Sequence, residues 1–250
     1  MSGVQTFAAG SYRYIEAVFQ YSGGVAAEPG FAIIRVRFRR MPPLAEGFAA
    51  IAAHLETVGR PLTSLCACEL RSPKPFSEAG FYAFNRDYVQ PLAQWGIVQG
   101  EINPVARTNV CPVFAPPETP SFYAFSYTVP AAEARHGSFI VAGSGEAAEG
   151  KGNYRDHIVS LGDTSPEGLR RKLRHVAAEM ERRLSALGFS WSDALATQAY
   201  TAHDIGALIE PEIVRRGAAP GGLTWHFCRP PVVDLECEMD VRAPLRELAI

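Results

Sequence analysis

Two stretches of this chain match without a gap at a constant offset of 129 residues, and that match restricts the fold more than any other feature. Residues 55–70 read LETVGRPLTSLCACEL, and residues 184–199 read LSALGFSWSDALATQA. Side by side, Leu55 meets Leu184, Gly59 meets Gly188, Ser64 meets Asp193 and Ala67 meets Ala196. Both have the same order of parts: the end of a helix, a glycine stop, a short polar turn and a strand. Glycine accepts a left-handed backbone cheaply, so Gly59 and Gly188 are read as the residues that close two equivalent helices. The offset is about half of the 250 residues, which points to two similar units in tandem.

The flanking sequence extends the pattern. Phe48, Ile51, Ala52, Leu55 and Val58 share one helical face, as do Leu169, Leu173, Val176, Met180, Leu184 and Leu187. Arg170, Arg171, Lys172, Arg174, Arg182 and Arg183 fall mainly on the other faces and read as a solvated helix surface. A second helical stretch follows in each half, GFYAFNRDYVQPLAQWG and DIGALIEPEIVRRG, with Pro91 and Pro211 expected to break or kink them. Strand candidates precede the first helix (YRYIEAVFQY and FAIIRVRFR; SFIVAG) and close each half (RTNVCPVF and SFYAFSYTV; LTWHFC and VVDLECEMDV). Each half then reads roughly ββαβαββ, a mixed sheet with two helices on one face, and the fold class is α+β. The expected units are residues 1–120 and 121–250, with the boundary anywhere in 116–135, because SFYAFSYTV fits the end of one half, the start of the next, or both.

Composition excludes several function classes. A net charge of −2 argues against a nucleic-acid binder. No apolar run approaches the roughly 18 residues that span a bilayer, and the start of the chain lacks the basic and apolar regions of a signal peptide. Five cysteines, an odd number, suggest reduced thiols and a cytoplasmic protein. Cys66 and Cys68 are too close for a zinc knuckle and no histidine pair completes a metal set, so neither metal nor cofactor is expected. Strand alternation would put both thiols on one face.

Arg107 stands behind the turn signal Asn103-Pro104, at the mouth of an apolar strand. It is either a solvated residue or a planar fork that holds a carboxylate through two parallel donors. Glu236 shares its strand face with Asp234 and Glu238 by period two. These acids form either a wet edge or a crowded group in which one carboxyl is tuned to move a proton. Arg229 offers a neutralising partner. Asn85 to Tyr88 cluster on a helix, from which one residue can reach a cleft, and Tyr154 to His157 form a polar group in a loop. Cys111 and Cys228 can line a cleft or pack as structural thiols.

Three of these segments together resemble the Rid/YjgF (endoribonuclease L-PSP-like) family, in tandem. HGSFIVAGSGEA is similar to its glycine-led strand, with Ser144-Gly145-Glu146 at the Ser-Gly-Gln-like turn. VARTNVCPV resembles its arginine-bearing strand and VVDLECEM its closing strand. The resemblance implies two chorismate mutase-like domains and a homotrimer of tandem chains. It also implies that Arg107 binds a substrate carboxylate and that Glu236 is the catalytic acid–base group. Ser144, Gly145, Glu146, His157 and Cys228 would line the substrate site. The arginine occurs only in the first half, where Leu223 is its counterpart in the second, and the glutamate only in the second. One site would therefore draw on two halves or two chains. The stretch SGEAAEGKGNYRDHIVSLGDTSPEGL, with His157 and Gly162-Asp163, also resembles the chorismatase branch. The implied activity is a cofactor-independent deaminase that hydrolyses an enamine/imine carboxylic acid of the 2-aminomuconate type. The alternatives are a chorismatase-like hydrolase of an enol-pyruvyl ether and a non-catalytic binder of small acidic metabolites.

Overall fold

In order, the chain forms β1 (Val4–Phe7), β2 (Tyr12–Ile15), β3 (Gly24–Ala27), β4 (Phe31–Arg37), α1 (Leu44–Thr57), β5 (Leu65–Arg71), α2 (Glu78–Gln94), β6 (Ala106–Pro112) and β7 (Ser121–Pro130). There follow β8 (Phe139–Gly145), α3 (Pro166–Leu187), β9 (Ala196–Tyr200), α4 (Gly206–Glu212), β10 (Leu223–His226), β11 (Cys228–Arg229), β12 (Glu238–Ala243) and β13 (Arg246–Ala249). These elements come from a computed structural model that describes residues 3–133, 136–148, 150–151 and 153–250. Residues 134 and 135 of the expected boundary interval, and Glu149 and Gly152 of the polar stretch after the Ser-Gly turn, lie outside the described residues.

The fold class is α+β, in four layers. A six-stranded sheet, β11-β6-β5-β7-β4-β13, carries α1 and α2 on one face. A seven-stranded sheet, β1-β2-β3-β8-β12-β9-β10, carries α3 and α4 on one face. The remaining faces pack on each other through Tyr12, Val25, Ile33, Cys66, Ala106, Ile140 and Ala142. The sheet faces that carry no helix are thus covered within one chain.

The cap predicted from the glycines is formed in the same way at both places. Gly59 and Gly188 take φ of +66° and +84°. Arg60 N–H donates to Leu55 O at 2.8 Å, and Phe189 N–H to Leu184 O at 2.9 Å. A 3-10 turn follows each, at Leu62–Ser64 and Trp191–Asp193, and then β5 or β9. At the other helix ends, Ser77 and Ser165 accept from the amides of Gly80 and Gly168, so each hydroxyl satisfies a donor that α2 or α3 leaves open.

Hydrogen bonding crosses the middle of the sequence in both directions. The early strand β3 pairs with β8, while the late strands β11 and β13 pair with β6 and β4. β7, which the sequence assigns to either half, lies between β5 and β4. A division near residue 120 therefore stands as a proposal about two sequence units; neither sheet is built from one half alone.

Several expectations are corrected. Cys66 and Cys68 face opposite layers, the first toward the other sheet and the second toward the helices. The register of β5 against β7 shifts between Leu65 and Ala67, and the extra residue breaks strict alternation. Pro91 does not end α2, which continues to Gln94. The basic run of α3 is not all solvated: Lys172 and Arg183 are buried. Residues 12–21 are not one strand, because β2 stops at Ile15. The stretch 223–228 divides between the two sheets, β10 pairing with β9 and β11 with β6.

Candidate active site

Two loops close over β6 and β8. Loop 231–233 is tied to the start of α2: Phe76 N–H donates to Pro231 O at 2.8 Å and Val233 N–H to Phe76 O at 2.9 Å. Glu78 in the first turn of α2 accepts from the amides of Tyr154 and Arg155 and holds the second loop. Arg155 pairs with Asp234 across the two. Beneath them is a narrow cleft, lined by Arg107 and Asn109 of β6, Gly143 and Gly145 of β8, Glu238 of β12, and Tyr21, Phe81, Tyr154 and Leu235 around them.

Arg107 is 3% exposed. Its guanidinium stands 4.9 Å from the Tyr88 ring, 5.0 Å from Tyr21 and 5.5 Å from Phe81. Ring faces stabilise a cation but do not meet its directional donors. Nη1 donates to Asn85 Oδ1, while Nε has no partner among the described residues. Among the described residues no carboxylate lies within ion-pairing distance of this guanidinium. A buried cation without a counter-charge is costly, so the geometry suits an incoming anion.

Glu236, the expected acid–base group, is not among the residues lining this cleft. Its carboxylate lies 2.7 Å from His203 Nε2 and 3.5 Å from Arg229 Nη1. Glu238, two residues on, lines the cleft and is buried. The cause is local backbone. Asp234 takes φ of +74° in a turn closed by Leu235 N–H to Val232 O at 3.3 Å. The strand begins only at Glu238, so alternation cannot be counted back to 234.

The other expected residues separate. Gly145 lines the cleft. Ser144, next along the strand, points to the opposite side, where its hydroxyl meets Arg183 at 3.3 Å. Glu146 is fully buried, with Lys172 Nζ at 3.1 Å and the amides of Glu236 and Cys237 at 2.7 and 3.0 Å. Burial raises its carboxyl above the ordinary range, against the pull of those two amides and of Lys172. It fixes the turn that delivers Glu238 and is not in the cleft. His157 is exposed. Cys228 packs on Val110 and Tyr200, and burial pushes its thiol up. Of the helix cluster, Asn85 reaches the site, and of the loop cluster, Tyr154 does. Reading the sequence missed Glu238 as the cleft acid, and Asn109 and Tyr21. Only Glu238 carried a signal, its place beside Glu236.

Behind the cleft runs a buried polar chain. Thr108 accepts from Gly143 N–H at 3.1 Å and donates to Asp240 at 2.9 Å. Asp240 also accepts from Tyr200 at 2.8 Å and pairs with Arg242 at 2.6 Å. Arg242 and Arg35 both pair with Glu69 at 2.6 Å. Those two guanidiniums overcome burial and hold the Glu69 carboxyl far below its ordinary value. This chain joins both sheets behind β6 and β8 and fixes the backbone that carries the site. Among the described residues no group of three or more His, Cys, Asp or Glu side chains could hold a metal ion. No helix is long and apolar enough to cross a membrane, again among the described residues.

The sequence family described as "2-aminomuconate deaminase CnbZ" matches residues 4–248. A 2-amino-5-chloromuconate deaminase from Comamonas testosteroni is 56% identical over 251 residues, covering 100% of both chains. Among solved structures, a chorismatase superposes with a TM-score of 0.48 at 12% identity, covering 88% of this chain and 77% of its own. A member of the YjgF/YER057c/UK114 family from Mycobacterium tuberculosis gives 0.27 at 17% identity, covering 43% and 79%.

Proposed function

The chain belongs to the 2-aminomuconate deaminase family, and from that premise we propose that it hydrolyses an aminomuconate-like enamine carboxylic acid, releasing ammonia without a cofactor. The observation that carries the reading is a buried arginine with no carboxylate partner among the described residues, facing a cleft that also holds a buried carboxylate. Arg107 takes one substrate carboxylate, Asn85 holds the guanidinium in place, and the aromatic rings exclude water. Glu238 delivers a proton to the enamine carbon, which converts the C–N bond to an iminium. Its carboxylate then accepts a proton from water as the oxygen adds to the iminium carbon. The carbinolamine collapses, the C–N bond breaks, and ammonia leaves with a proton, giving a 2-oxo acid. Positioned proton transfer of this kind contributes roughly 10²–10⁴-fold.

The enol-ether reading leaned on His157, which is exposed, and the binder reading leaves the family's chemistry unused. The tandem origin of the halves, the cytoplasmic location and the homotrimer stay within the proposal. The five free cysteines, all buried, accord with a reducing compartment. Leu245, Leu248 and Ile250 leave apolar surface at the β13 edge for a second chain. A solution mass at micromolar concentration tests the assembly, with a stable monomer as the contrary result. Incubation of the purified chain with 2-aminomuconate tests the activity: ammonia should appear in step with loss of the diene absorbance. No ammonia release would sink the reading.

A further inference from the structure

Resting on the deaminase reading, we propose that Asn109 is a second carboxylate anchor, and that with Arg107 it restricts the cleft to dicarboxylates. Asn109 is 3% exposed and lines the cleft. Ser72 Oγ donates to its Oδ1 at 2.9 Å, which occupies the acceptor end of the amide. Ser72 is itself held, its N–H donating to Val110 O at 2.9 Å. Among the described residues the donor end, Nδ2, has no partner. Buried polar groups in folded proteins are nearly always satisfied, so an orphaned donor at a cleft wall calls for an acceptor from outside.

The chemistry of that acceptor follows from what is offered. An amide N–H suits a carboxylate oxygen and gives nothing to an ammonium group. Being neutral, it binds a second carboxylate without adding a second buried charge beside Arg107. Residues 107 and 109 leave β6 on the same side, and both line the cleft. Glu238 shares the cleft, so a dianion enters against a carboxylate and needs both anchors.

The test is binding, read by calorimetry, of trans,trans-muconate and of sorbate, in which one carboxylate of the same diene is replaced by a methyl group. Neither carries an amino group, so neither reacts. Ammonia release from 2-aminomuconate, measured in parallel, scores the deaminase reading separately. The wild-type chain should bind muconate at least about tenfold more tightly than sorbate, the scale of one hydrogen bond to a charged group. Asn109→Leu should remove most of that preference. Asn109→Asp keeps the side-chain size and should remove it too, which covers any packing fault in the leucine variant. Arg107→Lys should weaken both ligands. Equal wild-type affinity for the two, binding of neither, or a wild-type ratio in Asn109→Asp would overturn the anchor. A chain that prefers muconate but releases no ammonia keeps the anchor and loses the reaction.

Discussion

The Glu238 carboxylate fills the space that a side chain at residue 143 would need: a Cβ on Gly143 would stand 2.2 Å from Glu238 Oε1 and 3.0 Å from Thr108 Cγ2. Gly143→Ala is therefore expected to push Glu238 from its place. Turnover should fall more than tenfold, while overpacking costs about 1–3 kcal/mol of stability. Steady-state kinetics beside urea unfolding separate the two effects. Full activity in this variant would remove Glu238 from the proton-transfer role.

Arg107→Lys keeps the charge and loses the planar fork. KM for the substrate should rise about tenfold or more, the scale of a lost charge-assisted hydrogen bond. The unfolding midpoint should move little, since among the described residues Arg107 contributes a single hydrogen bond, to Asn85, to the fold. Unchanged KM would mean the substrate is held elsewhere.

Glu146→Gln removes the counter-charge of Lys172, whose side chain is 0% exposed. Leaving a buried ammonium unpaired should cost about 3 kcal/mol, read by chemical denaturation. Lys172→Met in the Glu146→Gln background should restore part of the loss, because the orphaned charge is gone. No recovery would show that the pair acts in some other way.

Burial, and then the Arg71 guanidinium, bring the His226 imidazole from its ordinary 6.5 down to about 4, against the pull of Asp240 and Glu69. The unfolded chain then takes up the proton first, so this contribution is complete above about pH 6.5 and falls away as pH drops toward 4. With the partial solvent access of this side chain allowed for, the loss should be about 1–2 kcal/mol. His226→Gln should flatten that part of the pH dependence in urea titrations between pH 7 and 4.5. An identical slope in the variant would contradict it.

The helix caps at Gly59 and Gly188 were legible in the sequence because a glycine stop is local chemistry. Arg107 was singled out by the family resemblance, since its strand alone left a solvated residue equally open. The exchange of strands was not: β3 and β13 pair with elements more than a hundred residues away, and nothing in their own sequence names the partner. Burial of Lys172 and Arg183 was hidden for the same reason, since Glu146 and Ser144 reach them from β8 and its end. The resemblance singled out Glu236, but the left-handed backbone at Asp234 and the turn around it bring Glu238 into the cleft lining, and neither was visible in the sequence.

The most direct test of the account is ammonia release from 2-aminomuconate by Glu238→Gln and Glu236→Gln, measured side by side with the wild-type chain. Both substitutions keep the shape of the side chain and remove its titrating proton. The account predicts that Glu238→Gln lowers turnover at least about 100-fold with binding largely intact, while Glu236→Gln stays within about threefold of wild type because Glu236 is held by His203, outside the cleft. Near-normal turnover in Glu238→Gln, or a large loss confined to Glu236→Gln, would contradict it.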